Sequence, residues 1–205
     1  ANVVTAGAWA SGPTMNTARS ALGGARNGSQ ASTLAFGGYY GTPAGVKTEE
    51  FDGTSWTNKN DMGVSGYQQP GTGIATAALS AGRNTPPASG STEEFDGTNW
   101  AANPTGLNTA RYAAPLTGTQ TAALLSGGAP TTSATETYNG SAWTTSPATL
   151  NTAVSSYNAG AGTQAATVIW SGYVGPPGQT NITEEFNGTS WSTSNVYPIV
   201  VRQVS

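Results

Sequence analysis

Short apolar runs, separated by Gly, Pro, Asn and Asp, recur in phase along this chain. The segment Thr48-Glu49-Glu50-Phe51-Asp52-Gly53-Thr54-Ser55-Trp56 returns as Thr92-Glu93-Glu94-Phe95-Asp96-Gly97-Thr98-Asn99-Trp100. It returns again as Thr135-Glu136-Thr137-Tyr138-Asn139-Gly140-Ser141-Ala142-Trp143 and as Thr183-Glu184-Glu185-Phe186-Asn187-Gly188-Thr189-Ser190-Trp191. A small-residue run ending in Gly precedes each copy, at 33–38, 77–82, 123–128 and 167–172. Another run stands before that one, at 15–19, 62–66, 107–111 and 150–154. Three apolar runs plus the stretch leaving the Trp predict four short strands per unit. A period in the mid-forties is too short for a domain, so the chain is an array of one supersecondary unit.

Asp-Gly or Asn-Gly between the aromatic residue and the Trp predicts a tight hairpin from the third strand to the fourth. Both central positions of a type I′ turn need positive φ. Asn27, Asn139 and Asn187 also begin glycosylation sequons, but the turn accounts for the two Asn-Gly pairs in the repeat whatever the compartment.

Four-stranded units with a double glycine after the second strand, a Glu and aromatic residue in the third, and a Trp beyond it resemble the kelch repeat. Gly37-Gly38 and Gly127-Gly128 carry the double glycine, while Ala81-Gly82 and Ser171-Gly172 retain one. Glu49, Glu93, Glu136 and Glu184 occupy the acidic position, and all four units have the Trp. The resemblance covers nearly the whole chain and implies an all-β fold, a kelch-like β-propeller of the type found as the central domain of galactose oxidase. The wording of the repeats is also similar to arrays in structural and tail-fibre proteins of marine phages. Units are expected at about 10–56, 57–100, 101–143 and 144–191, with 1–9 and 192–205 as closing strands of a single domain. Trp9 would add a fifth outer strand to four complete inner sets. Three closures therefore stay open: four blades with an extra strand, five with a composite blade, or strands supplied by a partner chain.

Composition leans toward small residues, with 28 Gly, 12 Pro and 36% hydrophobic residues. A net charge of only −3 and aromatics that recur in phase argue for a folded chain. Seven Lys and Arg against ten Asp and Glu, with no basic run, leave no footprint for nucleic acid. No apolar stretch reaches spanning length, so membrane insertion is not expected. With no His and no Cys, thiol and Ser-His-Asp catalysis are excluded, and so is any metal site built on nitrogen or sulfur ligands. No cofactor is expected.

The Glu-Glu pairs suggest the two acids of a glycoside hydrolase. Neighbouring residues on a strand face opposite sides, however, and a catalytic acid is not needed once per unit. The first Glu of each pair is better explained as a buried acceptor, helped by Arg19 and Arg111 in the units that have them; Gly66 and Val154 stand there in the others. What varies among units is the loop after the glycine-ended run. Those loops carry Tyr39, Tyr40, Arg83 and Tyr173, with Tyr67, Tyr112 and Tyr157 on the connections between units. Tyrosines on proline-stiffened loops offer flat amphipathic surface at low entropic cost. The expectation is a non-enzymatic module, extracellular or on a virion surface, that binds a glycan or protein receptor through these residues. A purely structural or decoration protein that docks to other virion proteins or to itself is the alternative.

Overall fold

In the computed structural model of the chain, the residues described are 11–41, 45–156, 158–175 and 178–194. The expected closing segment 1–9, residues 195–205 of the other expected closing segment (192–205), and Tyr157 lie outside them. The described residues contain no helix and sixteen strands. The first four are β1 (Gly23–Gly24), β2 (Thr33–Phe36), β3 (Thr48–Phe51) and β4 (Trp56–Lys59). Next come β5 (Gly71–Ile74), β6 (Ala77–Arg83), β7 (Ser89–Phe95) and β8 (Trp100–Asn103), then β9 (Leu116–Gly118), β10 (Ala123–Ser126), β11 (Thr135–Tyr138) and β12 (Trp143–Thr145). The last are β13 (Ala159–Thr163), β14 (Ala166–Trp170), β15 (Thr183–Phe186) and β16 (Trp191–Thr193). Each set of four forms one antiparallel sheet in sequence order, giving sheets I to IV. The inner strands touch from I to II, II to III and III to IV, and the described residues form no closed ring.

The first strand of each unit is not where the apolar runs predict it. Residues 15–19, 62–66, 107–111 and 150–154 are loop, and the strand follows them at β1, β5, β9 and β13. The backbone explains the displacement: the amides of Asn16, Gly63, Asn108 and Asn151 donate to a glutamate side chain instead of a strand ladder. Met62, Leu107 and Leu150 of these runs are still buried, because the loop crosses the face of the sheet it leads into.

The Asp-Gly hairpins are real but not type I′. Phe51 pairs with Trp56, so the connection has four residues, and only the glycine takes positive φ, at 94°, 96°, 91° and 92° in Gly53, Gly97, Gly140 and Gly188. The Asp or Asn before it closes the turn with its side chain. Asp52 Oδ1 accepts from the amides of Thr54 and Ser55, both at 2.8 Å, and Asp96, Asn139 and Asn187 repeat the pattern. An acceptor side chain stabilises a turn without a second left-handed residue.

Each sheet is too rich in Ala, Gly and Thr to bury itself, and the core lies in three slabs between neighbours. Leu34, Phe36, Met62, Ala78 and Phe95 fill the first, with Trp100 packed against them. Leu79, Leu107, Leu116, Leu125 and Trp143 belong to the second, and Leu124, Leu150, Ile169, Phe186 and Trp191 to the third. In every slab the Trp of the following sheet donates its indole N–H to a Thr of the preceding one. The distances are 2.8 Å for Trp100 to Thr48, 2.9 Å for Trp143 to Thr92 and 3.2 Å for Trp191 to Thr135. Phe36 of sheet I meets Trp100 edge-on, with ring centroids 4.9 Å apart.

Two outcomes follow from this packing. Trp143→Ala should cost about 3–5 kcal/mol in denaturant unfolding. Trp143→Phe should cost less, about 1–3 kcal/mol, because it keeps most of the apolar area and mainly leaves Thr92 without its donor. A Trp143→Ala midpoint equal to that of the unaltered chain would remove the indole from its place between sheets. The turns supply the second outcome. Hydrogen bonds from the amides of Ser55 and then Thr54 hold the Asp52 carboxyl down to about 2, and Asn99 and Thr98 lower that of Asp96. A folded-state value below the unfolded value of about 4 gives stability that is present above that pH and lost as pH falls toward about 2. Replacing both by Asn, as units three and four already have, should flatten the unfolding midpoint over this window; an unchanged slope would refute the assignment.

Candidate functional site

The six sequence candidates among the described residues do not form one site. Tyr39 and Tyr40 are exposed, at 45% and 40%, and Tyr67 comes from the next unit to meet Tyr39 edge-on at 5.6 Å. Leu22, 36% exposed, lies beside them against Gly38. This is a patch of large apolar surface at the loop end of sheets I and II. Tyr112 and Tyr173 are half-buried and belong to sheets III and IV, where they bridge Ala129 and Ser156 by backbone. Backbone bridges Ser20–Tyr39, Tyr67–Asn84, Tyr112–Ala129 and Ser156–Tyr173 recur at the same end of each unit, so these tyrosines share a level but not a surface.

A strained turn supports the patch. Ala21, Gln68 and Ala113 take φ of 52°, 52° and 53°, and each stands two residues after the position of Arg19, Gly66 and Arg111. The Gln68 amide donates to Ala21 O at 2.7 Å and the Ala113 amide to Gln68 O at 2.8 Å, joining three units by backbone. Gln68 also accepts from Asn84 through its side chain at 3.2 Å. Gln68 was not a candidate, because positive φ at a non-glycine residue leaves no mark in the sequence.

Arg83 does not belong to the surface. It is wholly buried, and its guanidinium lies 2.8 Å from Glu93. This corrects two readings at once. The register pairs Ala81 with Thr92 as Phe36 pairs with Thr48, so Gly82 matches Gly37 and Arg83 occupies the place of the second glycine, Gly38. Unit two therefore does have the arginine that its Gly66 seemed to omit. A Cβ on Gly66 would lie 2.7 Å from Arg83 Cδ, so the two slots exclude each other: Arg19 with Gly38, Gly66 with Arg83, Arg111 with Gly128.

The glutamates served by this arrangement are all inside. Glu49, Glu93, Glu136 and Glu184 are at most 2% exposed. Glu49 accepts from the Asn16 and Thr17 amides at 2.6 and 3.2 Å and pairs with Arg19 at 3.2 Å. Glu136 accepts from Asn108 and Thr109 and pairs with Arg111 at 3.0 Å. Glu184 takes the Asn151 amide at 2.8 Å, its side chain at 3.0 Å and the Thr152 amide at 2.9 Å, with Val154 where the arginine would stand. Burial pulls Arg19, Arg83 and Arg111 below the ordinary guanidinium value, and the facing carboxylates oppose it. These acids clamp the loop that enters each sheet. The second members differ: Glu50 pairs with Lys59 at 2.7 Å, and Glu94 accepts from the Tyr138 hydroxyl of sheet III. Burial and that hydrogen bond push the Tyr138 phenol up.

The arginine exchange can be measured directly. Arg83→Gly should cost about 3–5 kcal/mol by leaving Glu93 buried without its cation. Gly66→Arg should also destabilise, since Arg83 fills its space. The double variant restores the geometry of units one and three and should recover most of the loss, a coupling of at least about 2 kcal/mol. Additive losses in the cycle would show that the two slots are independent. Compared with models of known protein families and with curated protein sequences, the chain matches none.

Proposed function

We propose that this chain is a non-enzymatic binding module, a kelch-like β-propeller that presents its loop end to a glycan or protein receptor from a virion or cell-surface appendage. The observation that carries this reading is the patch of Tyr39, Tyr40, Tyr67 and Leu22, which places large rings at the surface of a protein whose other large apolar side chains are mostly inside. Two tyrosines and their hydroxyls offer a stacking surface with a polar rim, suited to the mixed apolar and hydroxyl faces of a sugar or to an aromatic hot spot. The glutamates support the same reading from the other side. Each first-position carboxylate is buried and already accepts several donors, which leaves no open face for a substrate. A structural role within a larger particle is the second reading, favoured by the faces of sheets I and IV that no other sheet covers among the described residues.

Tyr39→Ala with Tyr40→Ala should shift the unfolding midpoint only modestly, because both residues stand at the surface, 45% and 40% exposed. Binding on a glycan array, or to whole host cells, should fall about ten-fold or more, as expected from losing two contacts of about 0.5–1.5 kcal/mol each. Equal binding by the double variant would move the receptor site elsewhere or favour the structural role.

A further inference from the structure

Two side-chain contacts between sheets, one from an indole and one from a glutamine, run in a single direction, and among the described residues the two end sheets hold their unmatched halves. Whereas Thr72 Oγ1 of sheet II donates forward to Gly118 O of sheet III, in both of these the following sheet donates and the preceding one accepts. The indole does so three times, as described above. A glutamine does so twice: Gln120 Nε2 reaches Ala78 O and Phe95 O at 3.1 and 2.8 Å, and Gln164 Nε2 reaches Ala123 O and Tyr138 O at 3.0 and 2.6 Å. Ala78 with Phe95, and Ala123 with Tyr138, are register partners on the second and third strands.

Sheet I holds both donors with no sheet before it among the described residues. Trp56 opens its fourth strand, and Gln30 stands six residues before Phe36, as Gln120 does before Ser126 and Gln164 before Trp170. Gln30 and Phe51 line one recess on that face together with Ser11, Gly12 and Pro13. Phe51 is half-buried, whereas its counterparts Phe95 and Tyr138 are fully buried. Sheet IV holds both acceptors with no sheet after it among the described residues. Thr183 pairs with Trp170 as Thr48 pairs with Phe36, and Thr167 pairs with Phe186 as Ala78 pairs with Phe95. Thr167, Val168, Phe186 and the exposed Ala161 line a recess of about 490 Å³ there. Val168 is half-buried, while Leu34, Leu79 and Leu124 in its position are at most 1% exposed under the next sheet.

We propose that these two faces are mates and that each is covered by the opposite end of a second copy of this chain. Trp56 of one copy donates its indole N–H to the Thr183 hydroxyl of the next, and the Gln30 amide donates to the carbonyls of Thr167 and Phe186. The interface continues the one already repeated between sheets I and II, II and III, and III and IV, which is why the chain itself is the partner the chemistry names. Among the described residues sheet I does not reach sheet IV, and three packed contacts hold the four sheets in an array that is not closed. Donor and acceptor faces differ, so the association is head-to-tail: it closes as a ring where the rotation permits and otherwise extends.

Gln30→Lys at the donor end and Ala161→Lys at the acceptor end both alter exposed positions, so both variants should fold, as circular dichroism will verify. By native mass spectrometry and sedimentation, the unaltered chain should form multiples of 20.6 kDa. Each variant alone should be monomeric, with association weakened at least ten-fold. Mixed, the intact donor face of Ala161→Lys should meet the intact acceptor face of Gln30→Lys, giving a complex of one copy of each and nothing larger. Thr183→Val, which keeps the shape and removes the acceptor, should weaken association without a charge. An unaltered chain that stays monomeric at high concentration, variants that assemble like it, or a mixture that remains monomeric would each overturn the proposal.

Discussion

The structure depends on the close approach of one sheet to the next. A sheet in this chain has too little large apolar surface to form a core with anything but its neighbour, and the indole N–H bonded to a threonine across the gap fixes how that neighbour sits. An indole buried without a partner for its N–H costs free energy, so the hydroxyl sets direction as well as distance. The glycines follow from the same constraint. A Cβ on Gly82 would lie 2.1 Å from Arg111 O in the following unit, so the backbones meet where any larger residue would hold them apart. Small residues here permit contact between sheets and are not a sign of low complexity.

The buried glutamates belong to the same logic, one step removed. A loop must cross the face of each new sheet before its first strand begins, and its amides arrive without ladder partners. A carboxylate beneath the loop accepts one or two of them, and in the first three units an arginine balances the charge, as Arg19 does while also donating to Gly37 O. The loop is thereby part of the packed interior, and Met62, Leu107 or Leu150 can be pressed into the slab beside it.

Most of the architecture was legible because the repeat itself carries it. Four sheets, their strand order and the hairpin before each Trp were readable from Asp52-Gly53 and its counterparts. The first strand was misplaced because a run such as Leu107–Arg111 is apolar for two reasons that look alike in sequence, pairing in a ladder or packing beneath a side-chain clamp. The role of Arg83 was hidden because alignment by sequence looks for an arginine at one position, whereas packing asks only for a guanidinium in one volume. The patch at Tyr39 was half-legible. The residues were visible, but their grouping with Tyr67 and Leu22 comes from the approach of two units, which no single unit contains.

The directionality of the sheet contacts bears on how the loop end is used. In the proposed assembly each copy adds its sheets in the same sense, so the end that carries Tyr39 and Tyr40 keeps its orientation from one copy to the next. A patch of two or three rings binds a sugar or a small protein surface weakly on its own, since each aromatic contact supplies only about 0.5–1.5 kcal/mol. Several identical patches held rigidly on one side convert later contacts into intramolecular ones, and avidity then exceeds single-site affinity by about 10²–10⁴ where the receptor is itself repeated. Under the proposed function and assembly the end faces and the loop end do different work with different residues: Trp56, Gln30 and Thr183 join the copies, and the tyrosines hold the receptor. Because the two sets share no residue, a change in one leaves the other intact, and recognition can be separated experimentally from assembly.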